Sequence, residues 1–461
     1  MEKPGLPSGT RDFAPDVMLK RKYIMGAIES VFRLYGFLPL ETPAMENLRT
    51  LQGKYGDEGD QLLFKILNNG DFLSKADVDA LEKRDSKKVL QSISDRGLRY
   101  DLTVPLARFV VMNRDKITFP FKRYQMQQVW RADRPQKGRY REFWQCDADV
   151  VGSDSVLNEV DLVKIYDEVF SILQLPVTIR INHRILFDAF ADYLGGGNAL
   201  QRLMQLVDKN DKIGFEGVKK EMESSGIQHA VSFWQFLFET NALHSNHAKL
   251  DAIRSHPGGD SGLLEDACAD LERIFSLVKT KQNFILDLTL ARGLSYYTGA
   301  VFEVVPSAES LPENFQIGSI GGGGRYDNLT GVFGLKDVPG VGISFGLDRI
   351  YDILDAAKLF PEISGNDVRV LICPMLETCI PMAFELVNIL REGNISAEVY
   401  PGAVKIKKQL DYANQRKIPF AAIIGEEELK NRNISLKNLN SGEQHNYPII
   451  QIPEHLHLWQ F

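Results

Sequence analysis

The sequence predicts an α+β fold in parts: a strand-bearing body, a helical insertion within it, and a small C-terminal α/β domain. Three observations predict this. The runs YQMQQVW and YREFWQCDADVV flank a loop holding Pro135 and Gly138, which reads as a long hairpin. From Ile185 to Val278 the chain turns rich in Leu, Lys, Glu and Asp at helical period, with no catalytic-looking cluster. After residue 367 strands and helices alternate, as in a small domain with a partly parallel sheet. The expected boundaries are 1–184 and 279–360 for the body, 185–278 for the insertion and 367–461 for the C-terminal domain.

In chain order, Met18, Ile24, Ile28 and Val31 recur at helical spacing, predicting a helix from Asp16 to Leu34. GFLPLETPAME then reads as an extended segment broken by Pro39 and Pro43. Gly70 to Lys88 is charged and reads as a helical or loop insertion. LRYDLTVPLARFVV predicts a turn or strand, then a helix starting near Pro105. The hairpin strands span Tyr124–Trp130 and Tyr140–Val151. A helix follows over Asn158–Leu173, then a strand at VTIRI. Beyond the insertion, FILDLTLAR, AVFEVV and GVGISFG read as strands, the last leading into a helix from Leu347 to Ala357. GSIGGGGR, by composition alone, reads as a tight turn. Ser364–Asp367 reads as a linker. VRVLICP, AEVYP and FAAIIG are the C-terminal strands, separated by helices over Cys379–Arg391 and Lys405–Lys417.

The totals exclude several classes. With 461 residues the chain is too long for one core. The N-terminus lacks an apolar stretch of signal-peptide length, and no apolar run reaches membrane-span length, so a cytoplasmic protein with no membrane partner is expected. The four cysteines form no CxxC pair and the eight histidines are scattered, so no tightly held protein metal is expected. The net charge of −7 speaks against a generic nucleic-acid binder, although cations concentrated locally can still hold an RNA.

Local concentration is what RADRPQKGRYREFWQ offers. On an extended strand Arg139, Arg141, Phe143, Gln145, Asp147 and Asp149 share one face. An unpaired buried charge is expensive, so such a face is either wet or turned to a polar ligand. Cations at the loop end, an aromatic in the middle and an amide with carboxylates beyond suit a ligand with phosphates, a stackable base and an ammonium group. An exposed hairpin with cross-strand ion pairs is the bland alternative.

These residues resemble a known family. VWRADRPQKGRYREFWQ is similar to motif 2 of class II aminoacyl-tRNA synthetases in its histidine-specific form. GFLPLETPAME resembles motif 1, with Pro43 at the dimer-interface position, and GVGISFGLDRI resembles motif 3, ending in Arg349. LARGLSYYTG and GGGGRYDNL resemble the two histidine signatures of histidyl-tRNA synthetases; LPSGTRDF, LRYDLT and the C-terminal segment are also similar to that family.

The resemblance implies an antiparallel sheet flanked by helices, a helical insertion and a C-terminal anticodon-binding domain. It implies a homodimer that joins L-histidine to tRNA(His) with ATP and Mg²⁺. Arg131 would grip the α-phosphate, with Arg139 and Arg141 facing the nucleotide or the loop. Phe143 and Arg349 would enclose the adenine. Asp101, Thr103 and Gln145 would hold the α-amino group. Asp149 and Tyr297 would bracket the imidazole, Tyr326 and Tyr296 would line that pocket, and Arg292 would be the catalytic cation. In this context the glycine run implies a close approach to substrate. Ser295 stands where the family usually carries Asp or Asn, and Asp101 and Asp149 stand where many members carry Glu.

Overall fold

In a computed structural model, the described residues are 3–52, 62–136, 138–291, 297–313, 315–362 and 368–458. They fall into two compact units, residues 1–13 with 20–360 and residues 14–19 with 361–461. The segment GFLPLETPAME supplies two short strands to different sheets, β1 (Leu38–Pro39) and β2 (Met45–Asn47). With β3 (Lys65–Ile66) and β4 (Arg96–Leu98), β2 makes a small antiparallel sheet in the order β2-β4-β3.

The main sheet has eight strands. It adds β5 (Phe121–Trp130), β6 (Glu142–Val151), β7 (Val177–His183), β8 (Asn283–Leu286), β9 (Ala300–Pro306), β10 (Gly321–Arg325) and β11 (Gly340–Gly346) to β1. Their order is β1-β5-β6-β11-β10-β9-β7-β8, parallel at the two outer pairs and antiparallel elsewhere. The hairpin of β5 and β6 is the expected one. Two expectations change. The glycine run is strand β10 rather than a turn: a Cβ at Gly323 would lie 2.1 Å from the Gly342 carbonyl, and one at Gly321 would lie 2.8 Å from Tyr166. Glycine is a poor strand former, but here only a bare backbone lets neighbouring groups pack this closely. FILDLTLAR is a strand only to Leu286.

One face of this sheet is apolar. Cys146, Ala148 and Val150 on β6 and Ile343 and Phe345 on β11 join a large core. Helix Pro15–Leu34 brings Ile24, Ile28, Val31 and Phe32 to that core, and helix Leu157–Ile172 brings Leu162, Val163, Tyr166 and Phe170. Both show an apolar stripe at three- and four-residue spacing. The same core continues through Leu203, Phe233, Trp234 and Leu271, in the segment expected as a helical insertion. The Tyr166 hydroxyl crosses to donate to the carbonyls of Gly322 and Ser344 at 3.0 and 3.1 Å, pinning the central strands.

The second unit holds a five-stranded sheet of β12 (Val370–Pro374), β13 (Ala397–Val399), β14 (Phe420–Ile424), β15 (Asn433–Asn438) and β16 (Gln444–Pro448). The order β13-β12-β14 is parallel and β14-β15-β16 antiparallel. Both faces of β12 are buried, Val370 and Ile372 in one apolar cluster and Leu371 and Cys373 in another. No helix among the described residues is long and apolar enough to cross a membrane.

Candidate active site

Opposite the apolar face, the main sheet carries polar rows. Register makes them: Arg123, Gln125 and Gln127 on β5 stand directly across from Asp149, Asp147 and Gln145 on β6. β6 in turn stands across from Gly342, Ser344 and Gly346 on β11, with Gly324 and Gly322 next on β10 and Glu303 beyond on β9. The centre is therefore a trough with glycines in its floor and carboxylates and amides along its wall.

Asp149 is the most constrained side chain there. Arg123 Nη2 lies 2.7 Å from Asp149 Oδ2, and both residues are almost fully buried, at 0% and 3% exposure. The Tyr326 hydroxyl donates to Asp149 Oδ1. A Cβ on Gly342 would fall 1.9 Å from that same oxygen, so the glycine is what admits the carboxylate. Tyr297 lies over Gly324 in the same way, 2.9 Å from a would-be Cβ, and Tyr326 lies over Gly340. Tyr297, Tyr326, Ala107 and Phe333 form a small apolar cluster. Burial raises the pKa of Asp149, opposed by Arg123 and by the Tyr326 hydrogen bond. Burial also pushes Asp147 up to about 7; Arg123 opposes it, and Asp149 and Asp101 add to it.

The residues expected at the nucleotide gather around the hairpin loop. Arg131 Nε donates to the Tyr100 carbonyl at 2.9 Å, next to the buried Asp101, and its guanidinium sits 5.1 Å from the Phe143 ring centre. Asp101 accepts from the Val104 N–H at 3.2 Å, and Thr103 is the first residue of helix Thr103–Met112. Arg349 donates to the carbonyls of Gly138 and Ser319 at 2.9 and 2.6 Å, tying the loop tip to the helix Leu347–Ala356. Arg141 is tied to the carbonyls of Asp133 and Ser8 at 3.1 and 3.3 Å. The Arg139 side chain is exposed. Arg292, Ser295 and Tyr296 lie outside the described residues.

The buried Asp101, Asp149 and Tyr326 and the half-buried Gln145 and Tyr297 thus belong to one neighbourhood, and Arg131 with Phe143 to its rim. Sequence reasoning missed the residues that hold them. Arg123 faces Asp149 only through strand register. Arg99 donates to the carbonyls of Thr42 and Pro43 and, at 3.0 Å, to Gln127. Asp348 binds Arg11, Arg21 (2.6 Å) and the Trp144 N–H (3.1 Å), which fixes the helix bearing Arg349 to β6. The one usable signal was arginine or aspartate at positions otherwise suited to core.

Residues 71–350 match the family described as histidyl-tRNA synthetase, and residues 369–457 match the anticodon binding domain. A histidine–tRNA ligase of Christiangramia forsetii is 50% identical, with 96% of this chain and 97% of that protein covered. One from Cytophaga hutchinsonii is 51% identical, with 96% and 97% covered. The crystal structure of a histidyl-tRNA synthetase from Nostoc sp. PCC 7120 superposes with a TM-score of 0.81 at 29% identity, covering all of both chains. An eight-stranded sheet with one charged face, a C-terminal anticodon-binding region and matches along nearly the whole chain lead to one assignment: the chain belongs to the histidyl-tRNA synthetase family.

Proposed function

We propose a residue-level account of how this chain acts as a histidine–tRNA ligase. The ATP-dependent reaction has two steps. A carboxylate oxygen of histidine attacks the α-phosphorus of ATP and pyrophosphate leaves. A hydroxyl of the terminal ribose of tRNA then attacks the acyl carbon of the adenylate and AMP leaves. The observation that carries the account is the Arg123–Asp149–Tyr326 group seated on Gly342, with Tyr297 over Gly324. A fixed buried acceptor beside an aromatic ring suits the imidazole, whose N–H it would receive. A site built around that hydrogen bond rejects analogues lacking it by about 10⁴-fold or more, because its own buried groups would go unpaired.

Asp101, Thr103 and Gln145 hold the α-amino group. Arg131 grips the α-phosphate, where negative charge grows in the transition state; fixed cations there lower the barrier without reorganising. The position of Arg131 between the Tyr100 carbonyl and Phe143 supports this. Phe143 and Arg349 enclose the adenine, and Arg139 closes from the loop. Arg141, tied to Asp133 and Ser8, orders the loop for that closure. Arg292 is the catalytic cation and Tyr296 lines the histidine pocket, both on the strength of the family signature. Mg²⁺ enters as a substrate ion on the ATP phosphates. Among the described residues no group of three His, Cys, Asp or Glu side chains converges on a point, so no protein ligand set is assigned to it.

The acceptor end and anticodon of tRNA(His) are the macromolecular partners, the C-terminal unit taking the anticodon. The working form is a cytoplasmic homodimer with the Pro43 segment at its interface and no membrane partner, divided at 1–184, 185–278, 279–360 and 367–461. The test is ATP–pyrophosphate exchange with each amino acid in turn. Exchange with histidine alone, lost in Arg292→Ala, supports the account; exchange with another amino acid, or none, refutes it.

A further inference from the structure

One buried carboxylate of the site face has no role in the account so far. Asp147 lies between Gln145 and Asp149 on β6 and is 3% exposed. Its register neighbours are Gln125 on β5 and Ser344 on β11. The Ser344 hydroxyl donates to Asp147 and accepts from Gln145 Nε2 at 3.2 Å. That leaves Asp147 Oδ1 and Gln145 Oε1, both buried and both without a hydrogen-bond partner. Buried acceptors are nearly always satisfied. Two on one strand face, joined through one serine, mark a place for a donor the chain itself does not bring.

The floor beside them is bare. A Cβ at Gly346 would meet only the Ile320 carbonyl at 3.5 Å, and one at Gly322 only the Phe302 carbonyl at 3.4 Å. Gly342 and Gly324, further along the same strands, are roofed by Asp149 and Tyr297 instead. The charge count points the same way. Asp101, Asp147 and Asp149 are all buried, and Arg123 is the buried guanidinium that faces the last two. A compact cation with several donors would restore the balance.

We propose that Asp147 is a substrate-binding residue that accepts, together with Gln145 Oε1, hydrogen bonds from the α-ammonium of histidine. This rests on the reading of Asp149 and Tyr297 as the imidazole slot. Positions two apart on a strand are separated by roughly 7 Å, comparable to the reach of histidine from amine to ring. It also explains how the site works with Asp101 where a longer Glu is usual in the family: the carboxylate at 147 covers the amine from below. Below about pH 7 the unliganded Asp147 holds a proton. On binding, that O–H breaks, the proton leaves to solvent, and the ammonium N–H takes its place.

The experiment compares two ligands that differ only in the ammonium. Calorimetric binding of L-histidine and of 3-(imidazol-4-yl)propionate is measured for wild type and Asp147→Asn, with ATP affinity and melting temperature as checks on folding. Asp147→Asn should weaken histidine by about 10- to 100-fold and leave the propionate unchanged. Asp147→Ser, which also removes the charge, should give the same ratio. Equal losses for both ligands, or none for either, overturn the proposal. An Asp149→Asn control reads the imidazole slot separately. It should weaken both ligands, and if it weakens neither, the slot is wrong whatever the ratio at Asp147.

Discussion

The two sheets of this chain bury different chemistry. In the C-terminal sheet, β12 alternates Val370 and Ile372 with Leu371 and Cys373, and both faces are packed in apolar clusters. In the main sheet, β6 alternates Cys146, Ala148 and Val150 with Gln145, Asp147 and Asp149, so one face is core and the other is charged. A strand buried on both faces by apolar contacts gains stability from each, about 1.5–3 kcal/mol per large side chain. A strand that buries carboxylates loses stability unless something compensates. The C-terminal sheet is thus a self-sufficient scaffold, whereas the charged face of the main sheet is compensated by Arg123 and Tyr326.

Mutations can break this contrast. Arg123→Met would strand Asp149 and should destabilise the larger unit by about 3–5 kcal/mol, read by denaturant unfolding, with histidine affinity lost as well. Arg131→Ala should leave stability intact and slow histidine-dependent pyrophosphate exchange by about 10²–10³-fold, in line with the loss of one preorganised donor. Leu371→Ala is the converse case. It should cost the C-terminal unit about 2–5 kcal/mol, seen as a lowered melting transition, while pyrophosphate exchange stays at wild-type rate. If exchange falls with it, the two sheets are less independent than their cores imply.

Smaller effects sharpen the picture within the main sheet. Gly342→Ala pushes a methyl group into Asp149 Oδ1 and should raise the histidine KM by about tenfold, worth ~1.4 kcal/mol, with the ATP KM unchanged. Acid reads out His183, where burial lowers the pKa to about 4 from an unfolded value of 6.5. The depressed folded value means its contribution is present above pH 6.5 and is lost as pH falls toward 4. His183→Gln should therefore flatten the acid limb of a stability–pH curve between those values. Asp147 carries the opposite sign. Its raised value favours the unliganded fold at low pH and ceases to do so as pH rises through about 7.

Periodicity and composition made much of this legible. The alternation in YREFWQCDADVV marked a polar face, because charges at every second position make poor core. The apolar alternation of the C-terminal segment marked its sheet. The partners of that polar face were harder to see. Arg123 and Asp149 are 26 positions apart in sequence, and only hairpin register makes them neighbours. The run GGGGR suggested a turn because glycine weakens strands, yet it is a strand whose bareness serves the groups above and below it. Arg99 and Asp348 are anonymous in sequence, since their partners, backbone and side chain alike, lie far along the chain. Roles for Arg131, Phe143 and Arg349 came from resemblance to the family rather than from spacing.

On the proposed reading, the buried charges of the main sheet select histidine. The decisive measurement is steady-state pyrophosphate exchange by Asp149→Asn, with melting temperature measured in parallel. A histidine KM raised by about 100-fold, with the ATP KM preserved, is the predicted result, alongside a lowered melting temperature because Arg123 loses its buried partner. An unchanged histidine KM accompanied by a lowered melting temperature would contradict the claim and make the Arg123–Asp149 pair a structural tie.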